Sequence, residues 1–320
     1  MIELIQCLNA AGNNDVNLFF LTRNKDPETK AITYNVWASR IQPELAADLK
    51  TNGVNQIQGI QTHDHEIIDY GILTQSDRCI VETVDYQCVP YLTEILTKIA
   101  QPVQDDNFIS ADIYPKIWGY IVRIENGNKT LFLFRKYTPK KLLEKDKIAC
   151  VIDREGQFSK LNGQAIAFDA YYDAALLLQE QTPSSQPEIS KIFIFSHGAF
   201  ESLFSYVDEY RRQIEINQDH LQEKAILENI LPLVETCSAD TRALKKLAKI
   251  LVNRSFDPLT STKIEETIRD FNLPADILNR DRKIQVSIEN IWIILRILDD
   301  DYGESKATGN KYEMRSKVRK

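Results

Sequence analysis

Apolar positions fall into short alternating runs through the first half of the chain and into stripes three and four residues apart through most of the second. Residues 16–22 and 34–40, rich in aromatic and β-branched side chains, predict two strands. A helix is expected after them: Pro43 suits its first turn, Leu45, Ala46 and Leu49 share a face, and Gly53 is placed to end it. Residues 79–84 read as a further strand, and Tyr91, Ile95, Leu96 and Ile99 recur at helical spacing. The clearest local signal is a hairpin, with strand-like residues 118–124 and 130–134 joined through Asn126-Gly127, a pair that tolerates the positive φ angles of tight turns.

Residues 148–152, 165–168 and 192–195 add β-like pieces, the last two separated by the loop-like Pro183-Ser184-Ser185-Gln186-Pro187. Helical stripes then dominate: Phe200, Leu203, Phe204 and Val207; Leu244, Leu247, Ala248 and Leu251; Ile264, Ile268 and Phe271. Residues 283–288 alternate like a short strand, residues 291–298 have the character of a buried helix, and no repeat recurs at a fixed period. The basic run Arg135-Lys136-Tyr137-Thr138-Pro139-Lys140-Lys141, extended by Lys145 and Lys147, interrupts the pattern and marks the expected domain boundary. The fold class is therefore α+β, with a mixed strand and helix domain over residues 1–147 and a C-terminal domain over residues 148–320 that has a small sheet and several packed helices.

With 320 residues, 43% of them hydrophobic, the chain can fill the cores of two domains. A net charge of −7 and an isoelectric point near 5.3 exclude a protein that coats nucleic acid or anionic lipid with its whole surface, so any such contact is local. Five scattered cysteines, Cys7, Cys79, Cys88, Cys150 and Cys237, show neither a disulfide framework nor zinc-ligand spacing and fit reduced thiols. The opening MIELIQCLNAAGNN lacks the features of a secretory signal, and the longest apolar run, broken by Arg296, is far shorter than a bilayer span. A cytoplasmic protein is expected.

Four clusters invite a chemical reading. His63-Asp64-His65-Glu66 could ligate a metal but lacks a completing set of ligands, and a polar loop accounts for it better. Asp299-Asp300-Asp301 follows the last apolar helix, where negative charge opposes the helix dipole, and could hold Mg²⁺ beside a phosphate. Ser196-His197 follows a strand, yet adjacent side chains point apart and no Gly-x-Ser-x-Gly elbow is present; a helix start with Glu201 in its first turn is the better account. Phosphate contact has three candidate patches: Arg135, Lys136, Lys140 and Lys141 with Tyr137 among them; Arg242, Lys245, Lys246 and Lys249 along one helical stripe; and a basic tail containing Lys306, Lys311, Arg315, Lys317, Arg319 and Lys320. No glycine-rich nucleotide loop occurs, and neither a cofactor nor a resident metal is expected.

From about Val151 the order of pieces, VIDREGQFSKLNGQAIAFD, KIFIFSHGAFESLFSYVDEYRRQIE, a run of helices, then LRILDDDYGESKATGNKYEMRSKVRK, resembles the KwaB family of the Kiwa bacterial anti-phage defence system. The specific points are Phe200-Glu201 after a strand, Phe204 and Tyr206, and the ending Leu298-Asp299-Asp300-Asp301-Tyr302 with Ser305, Thr308-Gly309, Tyr312 and Ser316-Lys317; Ala307 stands where the family is expected to have Leu. The resemblance implies a cytoplasmic homodimer that works at the inner membrane beside a small membrane partner, KwaA. It also implies binding to double-stranded DNA that restrains phage replication and transcription. Against this non-catalytic effector stand a metal-dependent nuclease using Asp299, Asp300 or Asp301, and an adaptor that binds no DNA.

Overall fold

The alternation at the start of the chain becomes a long antiparallel pair in the computed structural model, which describes residues 1–29, 31–63, 65–70, 80–100, 116–137, 147–152, 157–160, 166–179, 190–305 and 308–313. After helix α1 (Ile2–Ala10), strand β1 (Val16–Lys25) pairs with β2 (Ile32–Ile41), and the Asp26 carboxylate accepts the N–H groups of Glu28 and Thr29 in the turn. Helix α2 (Pro43–Thr62), β3 (Glu66–Asp69), β4 (Ile80–Asp85) and α3 (Leu92–Ala100) follow. The predicted hairpin is β5 (Ile117–Asn126) and β6 (Lys129–Lys136), with Gly127 at φ +61° in its turn. Then come β7 (Lys147–Ile152), β8 (Gln157–Lys160), β9 (Ile166–Asp169), β10 (Ala174–Gln179), β11 (Lys191–Ile194) and α4 (His197–Leu203).

These strands join in one sheet in the order β3-β4-β11-β10-β6-β5-β1-β2-β8-β7-β9. Its middle is covered on both faces, which is why β1, β5 and β6 read as nearly continuous apolar runs instead of alternating. Leu4 and Leu8 of α1 and Leu45, Leu49 and Ile57 of α2 share one buried cluster with Leu18, Phe20, Val122, Ile124, Leu131 and Leu133 of the strands. Elsewhere α3 lies against β2 and α4 against β6, where Phe204 meets the rings of Phe134 and Phe200 at 5.5 and 5.1 Å.

The chain forms two compact units by its contacts, Met1–Tyr70 with Ser76–Ser205, and Gly71–Gln75 with Tyr206–Lys320. The boundary expected near residue 147 falls inside the first unit, because the β-like pieces after it extend the large sheet through β2–β8 and β4–β11 pairing. Within the second unit, α5 (Tyr206–Glu223) and α6 (Leu231–Ser238) pack on α7 (Thr241–Asn253), followed by α8 (Ser261–Asp270), α9 (Ile291–Leu298) against α7, and a small hairpin of β12 (Tyr302–Glu304) and β13 (Lys311–Glu313). The fold is α+β.

Three local expectations are corrected. Gly53 does not end α2; it lies inside the helix, where an added Cβ would come 3.0 Å from Leu133 Cδ1, so it permits close packing. The stripe from Phe200 to Val207 is not one helix, because Ser205 at φ +56° separates α4 from α5. Residues 283–288 make only isolated bridges through Ile284 to Leu227 and Leu278. The loop expected at Pro183–Pro187 lies outside the described residues.

Gly119 of β5 sits beneath α4: a Cβ there would overlap Leu203 Cδ1 and lie 2.9 Å from the Arg135 carbonyl oxygen. Because the backbone itself would have to move, Gly119→Ala should lower the urea-unfolding stability by about 1–3 kcal/mol. An unchanged midpoint would show that α4 can shift freely.

Candidate functional site

Arg135 and Lys136 end β6 beside β10, where the Arg135 side chain and the Lys136 backbone N–H are committed inside the protein. The Arg135 guanidinium donates from Nε to Asp169 Oδ2 at 2.9 Å and from Nη1 to Asp173 Oδ1, with the Tyr171 ring centroid 4.4 Å away. The Lys136 N–H donates to Asp173 Oδ2 at 2.6 Å. Burial pushes the Asp173 carboxyl up to about 6, and the Arg135 charge and these hydrogen bonds keep it from rising further. Burial likewise works against the Arg135 charge, and Asp173 and Asp169 outweigh it and raise its pKa. Lys140, Lys141 and Lys317 lie outside the described residues.

Helix α7 is capped by the Asp240 carboxylate, which accepts the Arg242 N–H, and buries Leu244, Leu247, Ala248 and Leu251. Its cations divide. Lys246 points to the end of α9, donating to Asp299 Oδ2 at 2.9 Å and Asp301 Oδ2 at 2.6 Å, while Ser255 Oγ donates to Asp299 Oδ1 at 3.0 Å. Both aspartates are only 4% exposed. Burial opposes the Lys246 charge, but the two carboxylates more than compensate and raise its pKa. The acids that looked misplaced at a helix C-terminus are thus answered by a lysine from another helix, and Asp300 stands between them at φ +56°. Arg242 is the exposed member of the stripe, in a loose 3.7 Å pair with Asp240; Lys245 lies 5.9 Å from the Tyr210 ring centroid and, like Lys249, is half-buried.

The sequence did not reveal a third charge cluster. His197, the first residue of α4, faces Glu82 of β4 with Nδ1 and Glu201 with Nε2, the latter at 2.7 Å. Tyr70 donates its hydroxyl to the same Glu201 oxygen at 2.9 Å and stacks on the imidazole with centroids 5.3 Å apart. With a carboxylate at each ring nitrogen, both contacts are satisfied by an imidazolium donating twice. The carboxylates occupy opposite ends of the ring, so one ion could not be ligated by both together with the imidazole. Glu201 lies in the second turn, four residues after His197, not in the first turn as expected. The legible signal was this spacing; Glu82, on another strand, carried none.

His63 and His65 spend Nδ1 on the Gly59 and Ile60 carbonyls at the end of α2. Among the described residues no group of three or more His, Cys, Asp or Glu side chains is arranged to hold a metal ion, and no helix is long and apolar enough to cross a membrane.

The family described as Kiwa protein KwaB-like matches residues 115–308, more than half of the chain. The chain belongs to this family. KwaB-like membership makes it a component of Kiwa anti-phage defence, and the matched span contains the Arg135 and Lys246 clusters and His197 with Glu201, though not Glu82 or Tyr70. No curated protein and no solved structure matches the chain.

Two outcomes test these clusters. Lys246→Met strands two buried carboxylates and should cost about 3–5 kcal/mol, against at most about 0.5 kcal/mol for Arg242→Gln, both read by urea unfolding. For Asp173 the folded pKa lies above the unfolded one, so the folded state binds its proton more tightly. This residue's contribution to stability is then greatest below about pH 4 and falls as pH rises to about 6. Asp173→Asn should flatten that window in a pH series of unfolding midpoints; an unaltered profile would assign the slope to other carboxyls.

Proposed function

We propose that this KwaB-like chain binds double-stranded DNA through the phosphate backbone and thereby restrains phage replication and transcription. In this reading it acts as a homodimer held at the inner membrane by a KwaA-like partner. The observation that carries the DNA reading is α7, whose Arg242, Lys245, Lys246 and Lys249 recur along one cationic stripe, with Arg242 exposed and Lys246 paired to Asp299 and Asp301. On a chain with net charge −7, a local stripe suits backbone contact that is not sequence-specific. The same pairing supports a non-catalytic role over a nuclease, because a metal would have to displace Lys246 from two short ion pairs to reach Asp299 and Asp301.

The test is a titration of the purified protein against fluorescent duplex DNA at several salt concentrations with Mg²⁺ present. Each phosphate neutralised steepens the salt dependence by about 0.9 in log–log slope. Arg242→Gln with Lys245→Gln and Lys249→Gln should flatten the slope by about 2–3. Binding unchanged across the salt range would remove α7 from the interface. DNA cut in the wild type but intact with Asp300→Asn would instead establish the nuclease reading.

A further inference from the structure

At one end of strands β6, β5 and β1 a β-bulge re-aims a tryptophan. Leu21 pairs with Gly119 but Thr22 pairs with Ile117, which leaves Trp118 as the extra residue of β5. Its indole N–H donates to the Leu203 carbonyl at 3.1 Å, which fixes the ring. Its own carbonyl accepts both the Tyr137 N–H and the Lys136 ammonium at 3.0 Å.

Two cations lie against that ring. The Lys136 ammonium is 3.5 Å from its centroid, held also by the Tyr137 carbonyl at 3.1 Å, and the Arg23 guanidinium is 4.1 Å from it. Lys116 is the residue next to Ile117, as Arg23 is next to Thr22, so the antiparallel register brings a third cation to the same strand ends. Among the described residues, none of these three forms an ion pair, and the Arg23 guanidinium has no hydrogen-bond acceptor. Burial first, then the Arg23 charge, pushes the Lys136 ammonium down to about 8. Asp173 pulls the other way, but its two oxygens already serve Arg135 and the Lys136 N–H.

A guanidinium held on an aromatic face has lost much of its rotational freedom before any ligand arrives, and its planar fork of donors matches phosphate oxygens. Like charges gathered without an acid are unfavourable to one another, and an anion relieves that cost. We propose that Arg23 and Lys136, held on the Trp118 ring, form a phosphate-binding site together with Lys116 at the same strand ends. It is separate from α7 and stands on its own geometry. Its occupant is either a nucleic-acid phosphodiester or a free phosphate group.

The experiment uses the full chain and two probes, inorganic phosphate by calorimetry and fluorescent duplex DNA by polarisation. Arg23→Gln and, separately, the more exposed Lys116→Gln are compared with wild type and with the α7 triple variant. Phosphate should bind the wild type saturably and bind Arg23→Gln at least about tenfold more weakly, with a smaller loss for Lys116→Gln. If the source is nucleic acid, Arg23→Gln also weakens DNA several-fold and lowers the salt slope by about one. If the source is a free phosphate group, DNA binding is indifferent to Arg23→Gln while phosphate binding is lost. Equal affinity of wild type and both single variants for both probes overturns the site, as does a wild type that binds neither. A DNA loss confined to the α7 variant, with no effect of Arg23→Gln on either probe, keeps the DNA reading and rejects this one.

Discussion

A carboxylate taken out of water without a counter-charge costs several kcal/mol, and Asp173, Glu82, Asp299 and Asp301 are all buried. Among the described residues one arrangement recurs, a single basic side chain shared by two acids: Arg135 between Asp169 and Asp173, Lys246 between Asp299 and Asp301, His197 between Glu82 and Glu201. Each joins elements distant in sequence, so each ties a helix or strand end to its neighbour. These joints add to apolar packing in positioning β6, α7 and α4.

The same constraint governs which cations remain for a ligand. A lysine in a basic run and a lysine inside an ion triad look identical in sequence. Lys246 was grouped with Arg242, Lys245 and Lys249 because all four share a stripe, yet its acids are supplied from α9. Arg135 opened a basic run, yet its partners come from the end of β9 and the residue before β10. Arg23 belongs to no basic run in the sequence, although a bulge one strand away gives it an aromatic seat. Local spacing shows which charges share a face, but only tertiary structure shows which are already answered.

The fold was legible where one element carries its own signal. The Asn126-Gly127 hairpin, the α9 helix and the α7 stripe follow from turn chemistry and period alone. It was not legible where packing overrides propensity. Helix α1, with a short apolar face, is held by the sheet beneath it, and Gly53 serves close approach within α2 where a terminator was expected. Strand β10, Ala174–Gln179, is too short and too evenly apolar to be told from a buried helix until its pairing with β6 and β11 is seen.

The position of β10 and β11 also orders events in time. Among the described residues β4 joins the rest of the sheet through β11, and β11 through β10, although β4 leaves the ribosome about a hundred residues ahead of them. The β1–β2 and β5–β6 hairpins can form as soon as they emerge, whereas the β3–β4 pair must wait for β11, made much later, to join the sheet. A nascent chain therefore carries an open strand edge through much of its synthesis, the condition under which mispairing between copies competes with folding.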